Sequence, residues 1–128
     1  MDSRTKQLVR ERAANRCEYC GLTQDQSPLA LLQIEHIKPR KHGGDDLPEN
    51  LALACIDCNL SKGPNLTGID PESGVVTELF NPRVHHWSVH YKRQGAHIIG
   101  KTPIGRATTV VLNMNSDDQV ALRRVLGY

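Results

Sequence analysis

Aromatic side chains are scarce in this sequence: one tryptophan, one phenylalanine and three tyrosines make up 4% of 128 residues. So small a domain with so few large side chains has little core to spare, and a bound metal is a common substitute. Long apolar runs are missing as well. Nothing approaches the roughly 20 residues of a membrane helix, which excludes a helical span. The opening Met1-Asp2-Ser3-Arg4 has neither an apolar stretch nor a small-residue cleavage site, so no secretory leader is expected and the cytoplasm is the expected compartment.

An excess of charge of one sign is lacking too. Sixteen Lys and Arg oppose fourteen Asp and Glu, a formal +2 that four thiolates around one Zn²⁺ would bring to zero. Affinity for nucleic acid must therefore come from local clusters rather than a global field. No long run of like charge occurs, which excludes a polybasic arm or an acidic tail.

What the chain does have is patterned cysteine. Cys17-Glu-Tyr-Cys20 and Cys55-Ile-Asp-Cys58 share one internal spacing and stand 34 residues apart. A two-residue gap lets both sulfurs of a knuckle reach one tetrahedral ion, and two knuckles close the site. A disulfide framework does not suit a chain expected in a reducing compartment. A redox pair explains one such motif but not two. Structural Zn²⁺ held by Cys17, Cys20, Cys55 and Cys58 is the expectation, with no open position for chemistry.

Periodicity places the elements. Residues 3–15 read as an amphipathic helix capped by Ser3, with Leu8, Val9, Arg12 and Ala13 as its stripe. Residues 29–37 read as a strand stopped before Pro39, and residues 51–54 as a second strand running into Cys55. Between them lies a loop with Gly43-Gly44. One or two helical turns follow Cys58 and end at Gly63-Pro64. Farther on, residues 75–80 and the alternating Trp87, Val89 and Tyr91 read as strands, and residues 97–99 pair back as a hairpin after a turn at 92–95. Thr102-Pro103 opens a helix to about Leu112, and residues 117–126 form a last one. The expected fold class is α+β, as one domain over 1–128. His85, His86 and His90 read as polar surface, and Arg83 and Arg106 have no assigned role.

Three features stand between and beside the knuckles: Ile34-Glu35-His36-Ile37, Glu49-Asn50-Leu51, and Cys58-Asn59-Leu60-Ser61-Lys62-Gly63. Each alone is ordinary surface, turn or cap chemistry. Together, with the Gly-Gly loop and the knuckles, they resemble the HNH endonucleases, whose core is a ββα-metal finger; Asn59 stands where many members carry histidine. The resemblance covers about residues 17–63. It implies an HNH core over about 13–65 and an extension over about 66–128 with a β-hairpin and two short helices.

The resemblance also implies roles. His36 would be the general base, Glu35 and Asn59 would hold one Mg²⁺ or Mn²⁺, and Asn50 would brace the loop that aims His36. Arg40, Lys41 and Lys62 are the expected phosphate contacts, Arg40 foremost because its fork matches phosphate oxygens. An ideal strand sends Glu35 and His36 to opposite faces, so a shared site requires the backbone to leave regular extension there. The implied activity is metal-dependent cleavage of DNA, expected to be double-stranded, with one strand cut per site and a dimer needed to cut both together. The alternatives are a zinc-stabilised nucleic-acid-binding module without catalysis and an RNA-cleaving enzyme on the same scaffold.

Overall fold

The structure, a computed structural model, describes residues 1–128 and divides into two compact units, Met1–Leu66 and Thr67–Tyr128. It mixes helices with small antiparallel sheets, the α+β class that the sequence predicts. No helix is long and apolar enough to cross a membrane.

Unit 1 begins with α1 (Ser3–Arg12). Its cap is Asp2, one residue before the expected Ser3: the carboxylate accepts from Thr5 N at 2.7 Å. The helix buries Val9 and lays its basic side over the sheet that follows, where Arg10 and Arg12 donate to the carbonyls of Leu32 and Leu51 at 2.7 and 2.8 Å. Ala14 and Asn15 both take positive φ, which reverses the chain into the first knuckle.

The sheet is a two-stranded antiparallel pair of β1 (Gln33–His36) and β2 (Leu51–Ala54), with Glu35 opposite Ala52 and His36 opposite Leu51. Every residue of β2 is fully buried, so this short apolar run forms the floor of the unit. β1 is shorter than its apolar letters suggest. Leu29 and Leu31 remain 99% and 70% exposed. Residues 27–32 find no partner strand, and the Gln24 side chain meets their backbone instead, donating to the carbonyls of Ser27 and Ala30 and accepting from Leu32 N. Helix α2 (Ile56–Lys62) leaves β2 directly. The Cys55 Sγ caps it, accepting from Cys58 N at 3.4 Å.

Unit 2 holds two hairpins, β3 (Thr67–Ile69) with β4 (Val76–Glu78) and β5 (Tyr91–Gln94) with β6 (His97–Gly100), and two helices, α4 (Pro103–Val111) and α5 (Asp117–Val125). Thr102 and Ser116 cap those helices by accepting from Gly105 N and Gln119 N. The expected strand through Trp87, Val89 and Tyr91 is instead one helical turn, α3 (Trp87–His90), before β5 starts at Tyr91. The apolar letters fit both periods, but Trp87 and Tyr91 are four apart, and their rings meet with centroids 5.0 Å apart. Arg106, unassigned by sequence, grips the fully buried Asp70 through Nε at 2.8 Å and Nη2 at 2.9 Å, tying α4 to the turn between β3 and β4.

Candidate metal centre and active site

The four cysteines converge. All are buried, and their sulfurs lie within 4.8 Å of one another. Cys20 Sγ and Cys55 Sγ, one from each knuckle, are 3.7 Å apart. A tetrahedron with metal–sulfur arms of about 2.3 Å has an edge of about 3.8 Å, so the pocket has the dimensions of a zinc site. The first knuckle is fastened beside the second by β2: Glu18 N donates to Leu53 O and Leu53 N to Glu18 Oε2, both at 2.8 Å.

Burial works against charge on Cys17, yet hydrogen bonds from Cys20, Cys55 and Cys58 outweigh it and hold that thiol well below the usual range. Cys17 in turn pushes Cys20 and Cys58 well above it. Four sulfurs this close cannot all be anionic without a cation among them. The cysteines are thus positioned to bind a metal ion, in a closed site without room for substrate.

The two faces of β1 carry different groups. Gln33 and Glu35 face α2, where Asn59 and Lys62 stand one turn apart. Asn59 Nδ2 donates to Gln33 Oε1, and Lys62 Nζ lies 2.6 Å from Glu35 Oε1. Glu35 Oε2 accepts from the Tyr19 hydroxyl at 2.6 Å. Lys62 also donates to the carbonyls of His36 and Ile37, at 3.3 and 3.0 Å. Burial pushes the Glu35 carboxyl above its ordinary value, against the pull of Lys62 and Tyr19.

Two expectations change here. Lys62, expected beside phosphate, is only 2% exposed and is spent on Glu35 and two backbone carbonyls. The backbone also does not leave regular extension at Glu35: β1 stays in register with β2, and Glu35 and His36 point to opposite faces. Lys62→Met is expected to lower stability by about 3–5 kcal/mol, because it strands a buried carboxylate without its counter-ion. Chemical denaturation checks this, and adding Glu35→Gln should recover much of the loss.

On the other face, His36 Nε2 lies 2.7 Å from Asp46 Oδ1, and Arg40 Nη2 alone donates to both oxygens of Asp46, at 2.9 and 3.1 Å. The His36 contact, with help from Arg40, holds the Asp46 carboxyl below its ordinary value. The loop between the strands is stitched by Asn50. Its Oδ1 accepts from Lys38 N at 2.8 Å, and its Nδ2 donates to the carbonyls of Lys38 and Asp45 at 3.0 and 2.8 Å. The two glycines make the reversal possible. Gly43 sits at φ +85°, and a Cβ on Gly44 would lie 1.6 Å from the Lys38 carbonyl oxygen. Arg40 keeps much of its surface in water, and Lys41 is exposed.

The faces of β1 meet at its C-terminal end. A depression of about 310 Å³ is lined there by Glu35, His36, Arg40, Asn59 and the Gly63-Pro64 turn. The oxygens of Glu35 and Asn59 are hard donors suited to a small divalent cation. Both Glu35 oxygens are engaged, Oε1 by Lys62 and Oε2 by Tyr19, each at 2.6 Å, so an ion held here would have to draw Oε1 from Lys62. Three participants escape the sequence reading: Asp46, hidden in an ordinary-looking Asp45-Asp46 loop; Tyr19, the one aromatic residue within a knuckle; and Gln33. The signal for Asp46 is its place two residues beyond a Gly-Gly reversal that Asn50 closes.

Residues 17–65 match the family model described as HNH endonuclease. That segment is an HNH endonuclease domain. It contains both knuckles, β1, the glycine loop, β2 and α2, and HNH nucleases act on nucleic acids with divalent metals. The chain is also similar to the Septu protein PtuB of Bacillus thuringiensis, 28% identical over 127 residues, a match covering 94% of this chain. It spans 45% of that relative's length. No solved structure matches the chain. The histidines of unit 2 lie outside the HNH segment. His85 and His90 pack with Phe80, ring centroids 5.9 Å from it in each case, and His90 Nδ1 lies 2.6 Å from Thr102 Oγ1.

Proposed function

We propose that the protein is a metal-dependent endonuclease that hydrolyses phosphodiester bonds of double-stranded DNA at the depression beside His36, with Zn²⁺ in the four-cysteine site serving the fold alone. The observation that carries this reading is the imidazole of His36, held by a carboxylate at the edge of that depression, within an HNH domain.

Hydrolysis needs a water made nucleophilic, relief of charge on the phosphate and a stabilised leaving oxygen. His36 takes the proton of the attacking water as its oxygen bonds to phosphorus and the bond from phosphorus to the 3′ oxygen breaks. Arg40 and Lys41, both exposed next to His36, hold non-bridging phosphate oxygens. A Mg²⁺ or Mn²⁺ held by Glu35 and Asn59 supplies, when bound, Lewis-acid stabilisation of the phosphate and the departing oxygen. Asn50 keeps the loop, and with it the direction of His36, in place. Lys62 keeps its buried post and fixes the peptides after His36 and Ile37. A single site cuts one strand.

Purified protein should convert supercoiled plasmid to the nicked form with Mg²⁺ or Mn²⁺ and leave it intact with EDTA. Tight binding without nicking under either cation would favour the zinc-stabilised binding module, and cleavage confined to RNA would move the substrate class.

A further inference from the structure

The function proposed above leaves Asp46 without a task, although it makes the one close polar contact to the His36 ring and is fixed from several sides. Its carboxylate lies 2.7 Å from His36 Nε2 and accepts from Arg40 Nη2 through both oxygens, at 2.9 and 3.1 Å. Asp45, its neighbour, accepts from Asn50 through its carbonyl and caps Leu47 N through its side chain at 3.1 Å. The loop reaches this position only because a residue without Cβ passes over the Lys38 carbonyl at Gly44. A loop closed by an asparagine, reversed by two glycines and pinned by an arginine has one product, a carboxylate delivered to one ring nitrogen.

An ionised carboxylate can only accept. In the neutral ring, the form able to act as a base, the proton must therefore sit on Nε2 and the bare lone pair on Nδ1. We infer that Asp46 is the positioning residue of the nuclease site: by accepting the Nε2–H of His36, it holds the ring in the tautomer and orientation that turn Nδ1 toward the attacking water. Arg40 serves the same contact, since its Nη2, bonded to both oxygens, restrains Asp46. The inference rests on His36 acting as the base, and its test separates the two ideas.

The test uses the full chain with zinc bound, supercoiled plasmid as substrate, and ¹⁵N-labelled protein for the imidazole nitrogens. The wild type should show His36 protonated at Nε2 in its neutral form. Asp46→Ala and Asp46→Asn should mix the tautomers and lower kcat about 10- to 100-fold while KM changes little, the pattern expected when a partner that orients a reacting side chain is removed. Asp46 is partly exposed on a loop, so both variants should keep the wild-type melt. A wild-type ring protonated at Nδ1 overturns the inference. So does a variant that loses kcat with its tautomer unchanged, or one that keeps both. An inactive His36→Ala beside fully active Asp46 variants sinks the role of Asp46 alone, whereas an active His36→Ala sinks the base itself and the inference with it.

Discussion

Cys55→Ser should abolish the cooperative melt of the zinc-bearing unit and take the zinc content from one ion per chain to a small fraction. The sign and size follow from linkage. Zinc bound in small finger domains contributes on the order of 10–16 kcal/mol at neutral pH, against a total stability of about 5–15 kcal/mol for an ordinary domain. Losing one of four thiolates therefore removes most of what keeps the sparse core of unit 1 folded. Serine is the informative replacement. Cys55 also caps α2, and a serine hydroxyl caps at least as well, so the cap survives while the metal ligand does not. Metal analysis beside a thermal melt decides the matter. A variant that loses zinc and melts as before would strip the ion of its structural role.

His36→Ala should reduce plasmid nicking about 10²- to 10⁴-fold, the span that a positioned general base contributes, and leave zinc content and melt nearly unchanged. The second half of this prediction comes from the strand. His36 lies on the face of β1 opposite the buried Glu35 and Lys62, and its ring packs against a half-exposed loop rather than the cysteines. Removing it strands no buried charge, since its partner Asp46 is 39% exposed. Residual nicking equal to the parent would end the assignment of His36. A lost melt would mean that the ring is holding structure rather than moving protons.

How far the sequence could be read depended on the range of the interaction involved. Paired cysteines at fixed spacing converge because one ion must satisfy them all, so that cluster was legible from letters alone. The short strand at Leu51–Ala54 and the Thr102-Pro103 helix start were legible for a local reason, since cap chemistry and apolar runs act within a few residues. Residues 29–32 looked like strand because their apolar run leads straight into Ile34 and Ile37. Whether extension becomes a strand depends on a distant partner, and here a glutamine side chain took that place. Trp87 to Tyr91 fitted two periods at once, and ring packing chose the helical one. Lys62 was misplaced for a similar reason. A lysine at the end of a short helix is ordinarily solvated, and nothing local announces that a carboxylate 27 positions earlier waits underneath. Asp46 needed the loop's path, which two glycines and Asn50 determine jointly.

Tyr19 sits between the two sulfurs of the first knuckle and hands its hydroxyl to Glu35, while Lys62, at the far end of the helix that the second knuckle starts, holds the same carboxylate from the other side. On the proposed reading, oxidants and thiol-seeking heavy metals would have a route to silence cleavage without entering the depression beside His36, because damage at the sulfurs would slacken both grips on the residue preceding it. Poisoning by such agents would mimic loss of the cutting ion, so inhibition by a chelator speaks about catalysis only when the zinc is shown to have stayed in place.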